Sequence, residues 1–217
     1  MNIKLQTLKM RLAEVVDLQR SAALLSWEQQ TYMPPGGAKA RAEQLATLQG
    51  LAHRLFITDE IGGLVKELSD SSEQWSYDTD EASLIRFVAR QYERERKVPS
   101  ELVAELASTT SLAQEAWALA RQNDDYSMFQ PHLQRVIDIS RQQAECFAPY
   151  SHLYDPLLDK YEPGMKTSEV QKMFTGMKDE LIDLVDKINS RTGAVKNKIL
   201  YGDFDVDRQR EFGLCIA

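Results

Sequence analysis

Two cysteines and three histidines are the only thiols and imidazoles in this 217-residue chain. Cys146 and Cys215 are too widely separated for a C-x-x-C redox pair or a zinc knuckle. They read as reduced thiols in a reducing compartment. His53, His132 and His152 are followed by Arg54, Leu133 and Leu153, so none opens the H-E-x-x-H pattern that sets two imidazoles on one helix face. Scattered in this way, they read as surface or locally bonded side chains. There is no G-x-S-x-G elbow and no P-loop, and Gly36-Gly37 and Gly62-Gly63 are isolated pairs. Apolar runs never approach the ~18 residues needed to cross a bilayer. Lys4, Lys9, Arg11 and Glu14 interrupt any signal-peptide core at the N-terminus. A soluble cytoplasmic protein with no membrane partner is expected. Positive charge is also short: 26 basic residues against 33 acidic ones give a formal charge of -7. That balance repels a phosphate backbone, so nucleic acid is not an expected partner.

What the chain does have is helical periodicity. Hydrophobic residues make up 43% and charged residues 27%, the balance of a globular domain and not of a disordered one. A chain of this length can bury a core without disulfide or metal staples. Leu5, Leu8, Leu12, Val15, Ala22 and Leu25 line one face of a long helix that must stop before Pro34-Pro35. Ala42, Leu45, Leu48, Ala52 and Leu55 form a second stripe just after Gly36-Gly37, so TYMPPGG reads as a helix corner. Ile61, Leu64, Val65 and Leu68 mark a short helix. Asp78 with Glu81 then resembles a capping box ahead of Leu84, Ile85, Val88 and Tyr92. A helix from Ser100 carries Leu102, Leu106, Ala113, Trp117 and Ala120. Beyond Asn123-Asp124-Asp125 another runs through Phe129, Leu133, Val136 and Ile137, with Pro131 in its first turn.

Residues 149–166, PYSHLYDPLLDKYEPGMK, form the longest irregular segment. Ser168 and Gln171 suggest a cap for a helix through Val170, Phe174, Met177, Leu181, Leu184 and Ile188, with a stop at Thr192-Gly193. Lys198–Phe204 is the only extended candidate, and Asp205 or Asp207 can cap a last helix. The fold class is therefore all-α, multi-helix, without a solenoid period. Residues 1–217 read as a single helical region. Its final residues, with Leu214 and Ile216 still apolar, suggest a region incomplete at its C-terminal end.

Paired carboxylates such as Asp59-Glu60 and Asp124-Asp125 fall at helix starts, where they complement the macrodipole. They read as caps and solvated faces before acid/base pairs. Trp27 and Trp117, at helical spacing, read as core. Tyr150, Tyr154 and Tyr161 sit in the long loop, where they could edge a groove.

Three separated blocks carry a resemblance: LLSWEQQTYMPPGGAKARAEQLATL (24–48), AQEAWALARQNDDYSMFQPHLQRVIDISRQQAE (113–145) and YDPLLDKYEPGM (154–165), followed by DRQREFGL (207–214). In this order they resemble the carboxypeptidase Taq family of metal-dependent carboxypeptidases. Glu28 departs from the Asp that more often follows the Trp in that family. The resemblance implies the N-terminal helical part of a groove-containing, zincin-like peptidase that removes C-terminal residues from peptides with zinc or cobalt. Its H-E-x-x-H helix and carboxylate-holding motifs come later than any residue here. Hence no catalytic and no metal-binding residue is assigned in this chain, and its substrate-binding residues are left unknown. The chain alone is expected to be inactive and to hold no metal; peptide is the substrate of the complete enzyme, and a homo-oligomer is left open. The alternative is a stand-alone helical scaffold that binds a peptide or protein partner without catalysis.

Overall fold

The computed structural model describes residues 2–34, 36–71, 75–191 and 201–216. The chain divides into two compact units, Met1–Gly164 and Met165–Ala217. Among the described residues the regular structure is helical, with no strand. The first unit contains α1 (Ile3–Thr31), α2 (Ala38–Phe56), α3 (Asp59–Asp70), α4 (Asp80–Glu95), α5 (Ser100–Asn123), a 3-10 turn (Tyr126–Met128), α6 (Gln130–Glu145) and the one-turn α7 (Asp155–Leu158). The second contains α8 (Thr167–Asn189) and α9 (Val206–Ile216).

Short polar side chains start several of these helices. The Asn2 side chain accepts from the amides of Lys4 (3.0 Å) and Leu5 (3.3 Å) and opens α1. Thr58 and Thr79 do the same for α3 and α4, through the amides of Ile61 and Ala82. The expected Asp78–Glu81 box is therefore replaced by a one-sided threonine cap one residue later. Glu81, falling at the second helical position, serves the macrodipole instead of reaching back. Asp59-Glu60 occupies the first turn of α3 as expected. Asp124 ends α5 in the left-handed region, at φ 51°, and its amide meets the carbonyls of Ala120 and Arg121. Asp125 caps the following turn through Ser127.

The TYMPPGG stretch is a corner between α1 and α2. Gly36 takes φ 89°, a conformation that a Cβ disfavours, and the Gly37 amide donates to the Pro34 carbonyl at 3.1 Å. α2 runs back along α1 and packs on α5, α6 packs on α5, and the α3–α4 hairpin covers the first half of α1. The main core lies under that hairpin: Leu5 and Leu8 meet Ile61, Val65, Leu68, Ile85, Val88 and Tyr92. Gly62 is part of the same packing, because a Cβ there would collide with the Tyr92 ring and hydroxyl. A smaller cluster joins Val98 and Leu102 to Ile139, with Phe147 against it.

Both tryptophans depart from the core reading: Trp27 is 54% exposed and Trp117 46%. Trp27 follows Ala22 by five residues, about 140° around the helix from the buried stripe. Trp117 lies about 40° around α5 from buried Ala113 and about 60° from buried Ala120, at the margin of that face. Trp27 packs instead edge-on against Tyr32, with ring centroids 5.6 Å apart.

In the second unit, α8 begins two residues before the Ser168–Gln171 expectation allows. The Lys166 amide donates to Glu169 Oε2 at 2.7 Å, a charge-assisted bond that a glutamine amide at 171 cannot match. Asp205, not Asp207, caps α9, accepting from the Arg208 amide at 2.9 Å. Tyr201–Phe204 forms bends and a coil, not a strand. Thr192-Gly193 and residues 198–200 lie outside the described residues, and α8 ends at Asn189 with Ser190 as its cap.

Candidate functional site

A groove of about 830 Å³ lies in the first unit. One wall is α1, from Leu12 to Gln30, and the others come from α2, α4, α5 and the loop that carries α7. Leu12, Val16, Phe56, Phe87 and Val88 make an apolar stretch, whereas Gln19, Gln29, Gln49, Gln91 and Gln114 bring side-chain amides. An amide both donates and accepts, so this lining can meet the backbone of a peptide segment without demanding a charge on it.

His53, buried on α2, lines the groove and ties it to the α4–α5 corner. Its Nε2 lies 3.0 Å from the Glu95 carbonyl and its Nδ1 2.8 Å from Ser100 Oγ. A carbonyl only accepts, so Nε2 carries the proton; in the neutral ring Nδ1 accepts from the Ser100 hydroxyl. The Glu95 carboxylate stands off at 3.6 Å. Gln29 and Ser111 staple α1 to α5: Gln29 Nε2 donates to the Ser111 carbonyl and Ser111 Oγ donates to Gln29 Oε1, both at 2.9 Å.

Asp159 fixes the rim. Arg90 Nη2 donates to its Oδ2 at 2.8 Å, Arg94 Nη1 pairs with the same oxygen, and the Gly164 amide donates to Oδ1 at 2.7 Å. Arg94 also donates to the Pro156 carbonyl at 3.0 Å and lies over the Phe147 ring. Burial works to raise the Asp159 pKa, but the Gly164 amide and the charges of Arg94 and Arg90 outweigh it, so the carboxyl titrates below its ordinary range. The PYSHLYDPLLDKYEPGMK segment therefore reaches the groove through Pro156, Leu157 and Lys160. Its tyrosines are not among the residues that line this groove, and Tyr154 and Tyr161 are exposed.

Near the corner, Glu28 Oε2 is shielded from solvent and lies 2.5 Å from Arg41 Nη2 without hydrogen-bond alignment, so the pairing is ionic. Arg41 also bonds the Leu25 carbonyl and Gln44, locking the start of α2 onto the end of α1.

Among the described residues no three His, Cys, Asp or Glu side chains converge. Both ring nitrogens of His53 are engaged, and His152 Nδ1 accepts from the Tyr154 amide. No helix among the described residues is long and apolar enough to cross a membrane. Neither the Arg90–Arg94–Asp159 cluster nor the His53–Ser100 pair is legible in the sequence. Each joins residues more than 40 positions apart, which no local spacing reveals.

A family model described as carboxypeptidase Taq (M32) metallopeptidase matches residues 7–217. Thermostable carboxypeptidase 1 of Thermus thermophilus is 35% identical over 210 residues, covering 93% of this chain and 41% of the relative. Carboxypeptidase 1 of Bacillus subtilis is 26% identical, with 94% and 40% covered. Among solved structures, the M32 carboxypeptidase of Deinococcus radiodurans superposes with a TM-score of 0.74 at 27% identity, over 99% of this chain and 42% of that one. The crystal structure of BsuCP gives a TM-score of 0.89 at 23% identity, a likeness of fold over 99% of this chain and 43% of that one. The chain thus spans about two-fifths of the length of the relatives it matches.

Proposed function

Since the chain belongs to the carboxypeptidase Taq (M32) metallopeptidase family, we propose that it is the helical, non-catalytic portion of a metal-dependent enzyme that removes C-terminal residues from peptides. The observation that carries this reading is the family match over residues 7–217 against relatives more than twice as long. In this reading the zinc or cobalt ion of the complete enzyme is held by residues other than these. The contribution of this portion is shape: one helical region, 1–217, whose first unit offers an amide-lined groove with a rigid rim. Peptide is the substrate of the complete enzyme. A cytoplasmic location fits the free thiols Cys146 and Cys215.

The test is release of C-terminal amino acids from an unblocked peptide by the pure 217-residue chain, with zinc or cobalt added. No release above the protein-free control is expected. Release that a chelator abolishes contradicts the reading, because it requires a metal site built from this chain alone.

A further inference from the structure

Residues 149–164 form part of the groove wall with little regular structure of their own. Their one helix, α7, is a single turn, too short to hold itself together in water. Attachment orders the segment instead. Pro156 and Leu158 are buried, and the polar bonds to α4 come from two arginines one turn apart. Arg90 Nη2 donates to the Asp159 carbonyl at 3.0 Å as well as to its carboxylate, and Arg94 reaches the same carboxylate and the Pro156 carbonyl. The other carboxylate oxygen accepts from the Gly164 amide, so one side chain ties the segment both to α4 and to its own far end. These charges are not sealed off from salt: the Asp159 side chain is 27% exposed and that of Arg90 37%.

We propose that residues 149–164 are a strap that opens off α4 as one unit, with Asp159 as its latch, and that this opening widens the groove. Neither apolar cluster of the first unit contains a residue of the strap. The strap can therefore leave while the core stays packed, which is the condition for an opening smaller than global unfolding. Pro156, Leu157 and Lys160 line the groove, so release removes that stretch of wall. It also frees the guanidinium of Arg94, which lines the groove itself. The device needs only the first unit and stands apart from the family reading.

Trypsin acting on the full native chain reads the opening, because cleavage after Lys160 requires a released strap and its rate follows the open population. Each rate is taken relative to a free peptide of the same sequence, residues 154–166. In the parent the cut after Lys160 should be slower than in the peptide and should barely change with urea below the unfolding transition. The cut after Arg20, in the middle of α1, should rise steeply with urea over the same range. Raising salt from about 0.05 M to about 0.5 M should speed the Lys160 cut severalfold. Asp159→Asn should speed it about fivefold at low salt and remove most of the salt response. In a C146S/C215S background, Val98→Cys, buried and lining the groove, should react with a bulky thiol reagent at a rate that follows the Lys160 cut as salt is raised. Lys160 and Arg20 cuts that rise together with urea overturn the proposal, because the strap then leaves only when the whole unit unfolds. A parent cut as fast as the free peptide overturns it as well, as does an Asp159→Asn rate equal to the parent's. A Val98→Cys rate indifferent to salt overturns the widening of the groove.

Discussion

Asp159 holds the rim of the groove by accepting from two arginines of α4 and from the Gly164 amide. Its folded pKa lies below the ordinary carboxylate value, so its stabilisation is complete above that value and is lost as pH falls through the depressed folded one. Asp159→Asn should cost about 1 kcal/mol near neutral pH, the low end for a charge-assisted contact because the carboxylate is 27% exposed. The difference from the parent should shrink in acid, below the ordinary carboxylate range. Urea unfolding at neutral and acid pH checks both statements. Ser100→Ala removes the hydroxyl that faces buried His53 Nδ1 and should cost about 1–3 kcal/mol, as an unmet buried acceptor does. Denaturant midpoints at constant slope measure it. Neither contact is visible in the sequence. The histidines read as surface or locally bonded side chains, yet His53 is buried, and the serine that completes it lies 47 residues away.

At the scale of the element, the helical stripes were legible because burial follows period: Leu5, Leu8, Val15 and Ala22 on α1, and Ile85, Val88 and Tyr92 on α4, are buried as their spacing requires. Caps were less legible, because DTDE offers two oxygen-bearing candidates one residue apart. The structure chooses Thr79, so Thr79→Ala should lower stability by about 1 kcal/mol and Asp78→Ala by a few tenths at most. A reversed order in thermal melts would restore the capping box. Trp27, read as core from its helical spacing, lies five residues past the last buried stripe residue of α1 and about 140° off that face, and it stays half exposed. Between elements, Gly62 lets α3 close on Tyr92; Gly62→Ala should cost about 1–3 kcal/mol through displacement of that ring. Near-ultraviolet circular dichroism, which senses the environment of Tyr92, should change with it.

For the whole molecule, the all-α class followed from helical periods and from prolines that fall at helix boundaries. The family followed from three blocks of residues in order, 24–48, 113–145 and 154–165. The groove did not follow from either, since it is made where α1, α2, α4 and α5 diverge, and its glutamines lie on the flanks of stripes that read simply as polar. We propose that these 217 residues are one portion of a longer member of the family. The intact mass of the gene product, isolated from its native cell, tests it most directly. A species of roughly 60 kDa is expected, the 24.8 kDa of this chain scaled by the 41% of its Thermus relative that it spans. A native product of 24.8 kDa would contradict it and would mark the chain as a helical protein with a role of its own.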